Sequence, residues 1–219
     1  MKGAAGCRIY LIRHGETANA GKVCFNGHFD VGLSPEGTAQ FEALGQAFKG
    51  LRLEAIYTSD LARTRLSAAL IAAPHGLTPI AFAEFRELSF GAWEGLSIAE
   101  VERLYPGQLE ERMRDIENFS VTGGETFEQL RARVVPTFND IVARHPQGNL
   151  VIVAHGGVNR VILAHLLHIP VKHYFRIQQD YGGVNIIQYY ETGPVVEVIG
   201  GGPFSIRATA PAAKKIPLQ

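Results

Sequence analysis

The chain has 219 residues, of which 46% are hydrophobic and 19% charged, and a formal net charge of zero. That composition suits a globular chain with a sizeable core, and it excludes the broad positive footprint of a nucleic-acid binder while leaving room for a local positive pocket. No apolar run reaches the roughly 18 residues of a membrane span, the opening MKGAAGC lacks the apolar stretch of a secretory signal, and Cys7 and Cys24 have no metal-ligand spacing, so a cytoplasmic setting is expected.

In chain order, CRIYLIRH over 7–14 reads as a buried strand. Ser34 and Pro35 start a helix whose Phe41, Leu44 and Phe48 share one face. LEAIYTSD, 53–60, is a second strand. The next helix, from residue 61, is stopped by Pro74 and Gly76, and TPIAFAE, 78–84, is a third strand. Ser97 and Glu100 form a capping box, with Leu96 and Val101 placed as a hydrophobic staple. A second box, Thr126 to Gln129, opens a long amphipathic helix that Pro136 should kink or break. NLVIVAH, 149–155, is a strong strand, followed by a helix that begins on two glycines. NIIQYYE and VVEVIGG, joined by TGP, read as an antiparallel hairpin.

Strands alternating with helices predict a three-layer α/β fold, with a mostly parallel sheet and helices on both faces. Residues 1–202 read as one domain, in which 91–124 make a polar excursion over one end of the sheet. Residues 203–219, rich in Ala, Pro and Lys, read as a loose tail.

Three strand ends carry unusual chemistry: Arg13-His14-Gly15, Thr58-Ser59-Asp60 running into Arg63, and His155-Gly156-Gly157. Ligands of open α/β sheets bind outside the carboxyl ends of the strands. Parallel strands would therefore bring two arginines and two histidines to one edge. Guanidinium forks suit phosphate oxygens, and N–H groups at a helix start suit an anion. A neutral histidine beside a bound phosphate can attack it through one ring nitrogen, provided the other keeps its proton; a carbonyl near Gly15, in a tight turn, would hold that tautomer. A proton for the leaving oxygen points to Glu87, set among Phe85, Leu88, Phe90 and Trp93, with Asp60 and Glu94 as rivals.

LIRHGET, FNGHFDVGLSPEG, YTSDLARTRLSA, FRELSFGAWEG, GGETFEQLRARV and VIVAHGG, in that order, resemble the histidine phosphatase superfamily, which includes phosphoglycerate mutases. The resemblance runs from about Ile9 to Tyr190 and implies a phosphoglycerate mutase-like fold. It implies that His14 becomes a phosphohistidine, that Glu87 protonates the leaving oxygen and then activates water, and that Arg13, Arg63 and His155 hold the phosphoryl oxygens. Asn26, Gly27 and the N–H of Gly156 match further phosphate contacts. It implies no metal and no cofactor. One position departs: the family asparagine seven residues after the arginine is Ala20 here, with Asn19 one place early, so either a shifted loop lets Asn19 take over or one phosphate contact is missing.

FGAWEG looks like the phosphatase branch. The expected function is a metal-independent phosphomonoesterase acting on a small soluble ester, with α-ribazole 5′-phosphate as the candidate substrate. The expected partner is that small molecule, with no nucleic acid and no membrane; the oligomeric state stays open. The alternatives are a cofactor-dependent phosphoglycerate mutase, a non-catalytic phosphate-binding regulatory protein, and a metallohydrolase using His14, His155 and Asp60.

Overall fold

The computed structural model describes residues 4–208. Six strands form one sheet: β1 (Ala5–Arg13), β2 (Ala55–Thr58), β3 (Ile80–Ala81), β4 (Asn149–Ala154), β5 (Val184–Tyr190) and β6 (Gly193–Gly201), in the order β3-β2-β4-β1-β5-β6. The first four run parallel, and β5 lies antiparallel to both β1 and β6.

β1 and β4 are apolar on both sides because both faces of the sheet are covered. Ile9 and Leu11 of β1, with Leu150 and Ile152 of β4, join one core cluster. Over it pack α5 (Phe127–Arg144) and α6 (Gly156–Leu167), through Val134, Phe138, Val161 and Ile162. Tyr10, Ile12, Val151 and Val153 face the other way, against α1 (Pro35–Phe48) and α2 (Ala62–Ala72). Each large side chain sealed there contributes about 1.5–3 kcal/mol of transfer free energy.

Between β3 and α5 the chain forms α3 (Ile98–Leu104) and α4 (Gln108–Arg114). Trp93, Val101 and Val121 make a small core of their own with Phe25 and Phe90. The backbone at 23–25 bonds to the backbone at 95–98, which ties this excursion to the loop after β1. Both predicted capping boxes form, on Ser97–Glu100 and Thr126–Gln129.

Four expectations are corrected. Of the kink or break expected at Pro136, the break is absent: α5 runs through it as one helix. The third strand has only two residues, because the chain turns into a short 3-10 helix at Ala83–Phe85. α4 follows Gly107, whose positive φ of 80° ends the preceding segment, and the sequence reading had no helix there. The tail is not loose from 203: Pro203–Ala208 form α7, whose Ile206 is buried against the α1 side of the sheet. The rest of that expected tail, 209–219, lies outside the described residues. Among the described residues no helix is long and apolar enough to cross a membrane.

Candidate active site

The register places Arg13 beside Ala154 and Thr58 beside Val153, so β1, β2 and β4 end together. The residues that follow them, His14, Ser59 and His155, therefore meet at one edge. The His14 and His155 rings lie 5.1 Å apart. A pocket of about 170 Å³ opens there, lined by Arg13, His14, Asn26, Gly27, Arg63 and Glu87, together with Cys24, Phe25, Phe90 and Tyr181. Six of the eight predicted site residues thus line one cavity. The other two, His155 and Gly156, stand beside it, His155 against Arg63 and Gly156 near the Arg13 guanidinium.

His14 Nδ1 lies 2.8 Å from the carbonyl oxygen of Gly15. A carbonyl only accepts, so Nδ1 carries the proton and Nε2 keeps its lone pair. Nε2 has no hydrogen-bond partner among the described residues. Burial, then the charges of Arg13 and Arg63, hold the imidazole well below its ordinary pKa, so the ring is neutral at pH 7. This is the state that a nucleophilic histidine needs.

The glycine after it has a different reason from the one expected. Gly15 is not among the positive-φ residues, so no left-handed turn requires it. A Cβ on Gly15 would lie 2.5 Å from the carbonyl oxygen of Gly37, and a Cβ on Gly37 would lie 2.1 Å from that of Glu16. The start of α1 packs backbone to backbone on the segment carrying the nucleophile. Only a pair of glycines allows that approach.

Arg63 is almost fully buried and held from three sides. Its Nη1 and Nη2 donate to the carbonyls of Phe29 and Gly27, and its Nε donates to His155 Nδ1 at 3.3 Å. The proton of a neutral His155 is therefore on Nε2, 2.8 Å from Ser59 Oγ. Ser59 Oγ in turn contacts Thr64 Oγ1, whose own proton is directed at backbone carbonyls. His155, its pKa lowered first by burial and then by Arg63, orients that arginine in the free site. Arg13 donates from Nη1 to the Gln179 carbonyl and lies 4.0 Å over the Tyr181 ring. Gln179 and Asn185, both buried, pair reciprocally beneath it.

Glu87 does not sit in the apolar surroundings expected for it. Its two carboxylate oxygens accept the N–H of Gly157 at 3.1 and 3.0 Å, and one also accepts that of Leu88. At the start of α6 the Gly157 N–H thus holds the carboxylate. The Glu87 carbonyl is fixed by Arg133 and by His28 Nε2. Arg133 also binds the carbonyls of Glu84 and Arg86 and pairs with Glu125, so α5 clamps the whole acid-bearing loop.

The rivals have other partners. Asp60 is bound bidentate by Arg86, and burial is a smaller influence on its lowered pKa than that hydrogen bond. Glu94 accepts the backbone N–H groups of His28, Phe29 and Phe90, and so joins the 26–29 loop to the excursion.

A model of the "Histidine phosphatase superfamily (branch 1)" matches residues 9–200. The chain belongs to that superfamily. A "Putative phosphoserine phosphatase 2" of Hydrogenobacter thermophilus is 28% identical over 82% of this chain and 88% of its own. The adenosylcobalamin/alpha-ribazole phosphatase of Salmonella typhimurium is 27% identical, over 84% of this chain and 93% of its own. The solved structure of Bacillus stearothermophilus YhfR superposes with a TM-score of 0.83 at 27% identity, covering 89% of this chain and 96% of that one. The fold is therefore the phosphoglycerate mutase-like one of the superfamily, and the enzyme class is phosphoric monoester hydrolase.

Asn19 and Asn26 are joined side chain to side chain. Asn19 Nδ2 donates to Asn26 Oδ1 at 2.7 Å, and Asn26 Nδ2 returns a bond to Asn19 Oδ1 at 3.1 Å. Thr17 also donates to Asn19 Oδ1. Asn26 lines the pocket; Asn19, outside that lining, holds the Asn26 amide in place. His28 likewise lies outside the pocket lining and acts on the Glu87 loop.

Sequence reasoning missed Tyr181, which lines the pocket. Tyr181 stands before Gly182, whose φ is 67°, at the same sheet edge, and its ring is 5.5 Å from that of His14. An aromatic before a glycine pair ahead of a strand was a usable signal.

Proposed function

We propose that this enzyme hydrolyses small phosphate monoesters without a metal, through a phosphohistidine on His14. The observation that carries the reading is the His14 ring. It is buried and neutral, with Nδ1 committed to Gly15 and Nε2 unpartnered, in a pocket lined by two arginines and one carboxyl group.

In the first half-reaction Nε2 forms a bond to phosphorus as the ester P–O bond breaks. The leaving oxygen takes a proton from Glu87, the carboxyl group lining the pocket. Arg13 and Arg63, with Asn26 beside them, meet the charge that builds on the phosphoryl oxygens. In the second half-reaction the Glu87 carboxylate removes a proton from water, which attacks phosphorus and breaks the P–N bond. Phosphate leaves, and His14 and protonated Glu87 are restored.

A 170 Å³ pocket is small beside the roughly 300–1,000 Å³ of drug-sized ligand sites, which supports a compact leaving group. Relatives carry the names of phosphoserine, α-ribazole phosphate and phosphoglycerate enzymes, and α-ribazole 5′-phosphate remains a candidate.

The test is transfer of label from a ³²P-labelled ester to the protein under rapid quenching. The expected label is acid-labile and base-stable in the wild type and absent from His14→Ala. Full turnover by His14→Ala would overturn the reading.

A further inference from the structure

The turn that leads into β5 is built around Arg13, through both its backbone and its side chain. The Gly183 carbonyl accepts the Arg13 N–H at 3.1 Å, and the Gly182 N–H donates to the carbonyls of Arg13 and His14, each at 3.1 Å. The Gln179 carbonyl accepts from Arg13 Nη1 at 2.7 Å. Between these anchors the Tyr181 ring centroid lies 4.0 Å from the guanidinium carbon. The chain turns directly after Tyr181, at Gly182, whose φ of 67° suits glycine.

The guanidinium has little other support. Its Nε is buried without a hydrogen-bond partner, and Nη2 has none among the described residues. Arg63, by contrast, is fixed by two carbonyls and His155. A long side chain held by one hydrogen bond keeps much of its rotational freedom, and a phosphate would have to order it on binding. The Tyr181 ring removes that freedom in a way suited to the site. An aromatic face attracts a guanidinium without consuming an N–H donor, so the donors stay free for phosphoryl oxygens. A carboxylate in the same place would hold the arginine but cancel the charge that the phosphate is to meet. The phenol oxygen of Tyr181 makes no hydrogen bond among the described residues, so the contact is carried by the ring. That ring lines the pocket, 5.5 Å from the ring of His14.

We propose that Tyr181 is a positioning residue of the phosphoryl site: its ring sets the plane of the Arg13 guanidinium, so that Arg13 meets the phosphoryl oxygens already ordered. This rests on the phosphomonoesterase reading, which places a phosphoryl group in the pocket.

The test combines kinetics on p-nitrophenyl phosphate with binding of inorganic phosphate. Tyr181→Leu should raise KM and the phosphate Kd by about threefold to thirtyfold, the range of a cation–π contact. Tyr181→Phe, which keeps the ring and lacks the hydroxyl, should recover most of that loss. In an Arg13→Gln background, Tyr181→Leu should change the phosphate Kd by less than about twofold, because no guanidinium is left to position. Tyr181→Met serves in place of Tyr181→Leu if the latter does not fold. An unchanged phosphate Kd in Tyr181→Leu, or the same fold-change with and without the Arg13 guanidinium, overturns the positioning role alone. So does a Tyr181→Phe variant as impaired as Tyr181→Leu, which would assign the effect to the hydroxyl. A wild type that neither hydrolyses p-nitrophenyl phosphate nor binds phosphate overturns the phosphatase reading and the role of Tyr181 with it.

Discussion

Gly37→Ala gives a prediction whose sign depends on the packing beneath His14. Gly37 lies in the first turn of α1, where alanine has the better helix propensity by about 1 kcal/mol. Helix propensity alone therefore predicts a more stable protein. The structure predicts the reverse. The added Cβ would stand 2.1 Å from the Glu16 carbonyl oxygen, against 3.4 Å for ordinary contact, so the two backbones must part by about 1.3 Å. The Glu16 nitrogen at 2.7 Å and carbonyl carbon at 2.9 Å block the same direction, and backbone cannot rotate away. Overpacking of this kind costs about 1–3 kcal/mol, enough to exceed the propensity gain. The displaced segment includes Gly15, whose carbonyl fixes the His14 tautomer. A misplacement near 1 Å lowers a rate by about a hundredfold. Thermal unfolding and kcat on p-nitrophenyl phosphate check both effects. A melting temperature above wild type with an unchanged kcat would refute the reasoning.

Three other predictions follow from the same site. Glu87→Gln should lower kcat by about 10²–10⁴-fold by removing the acid. Glu94→Gln should instead cost about 2–4 kcal/mol of stability, since its carboxylate satisfies three backbone N–H groups; a larger kcat loss for Glu94→Gln than for Glu87→Gln would reverse the assignment. Asn19→Ala should weaken inhibition by inorganic phosphate roughly tenfold, through loss of the bonds that orient Asn26, and an unchanged Ki would contradict that role. Burial keeps His14 and His155 neutral in the fold, whereas in the unfolded chain they protonate below about pH 6.5. The unfolded state then binds more protons, so stability is fullest above that pH and falls as pH drops towards 5, by up to about 1.4 kcal/mol per unit for each ring. Denaturant unfolding at several pH values should show that slope, and His14→Gln should remove one ring's share.

The alternation of apolar strands and capped helices was legible because both sheet faces are covered and both capping boxes form. The meeting of Arg13, His14, Arg63 and His155 was legible from strand ends alone, since parallel register carries them to one edge. What stayed hidden depends on contacts distant in sequence. The need for Gly15 comes from Gly37, which no local turn pattern discloses. The role of Asn19 stayed open because its pairing with Asn26 requires the folded loop. Ile206 looked like part of a tail because one buried isoleucine in an Ala- and Pro-rich stretch has no period. Glu87 lines the pocket, but its bond to Gly157 depends on where α6 begins, 70 residues further on.

The stereochemical course at phosphorus tests the covalent account most directly. Transfer to His14 Nε2 and then to water comprises two in-line displacements, each of which inverts the phosphorus centre. An ester chiral at phosphorus through oxygen isotopes and sulfur, hydrolysed in isotopically labelled water, should therefore yield product of retained configuration. Net inversion would mean a single direct attack by water and would contradict the phosphohistidine intermediate.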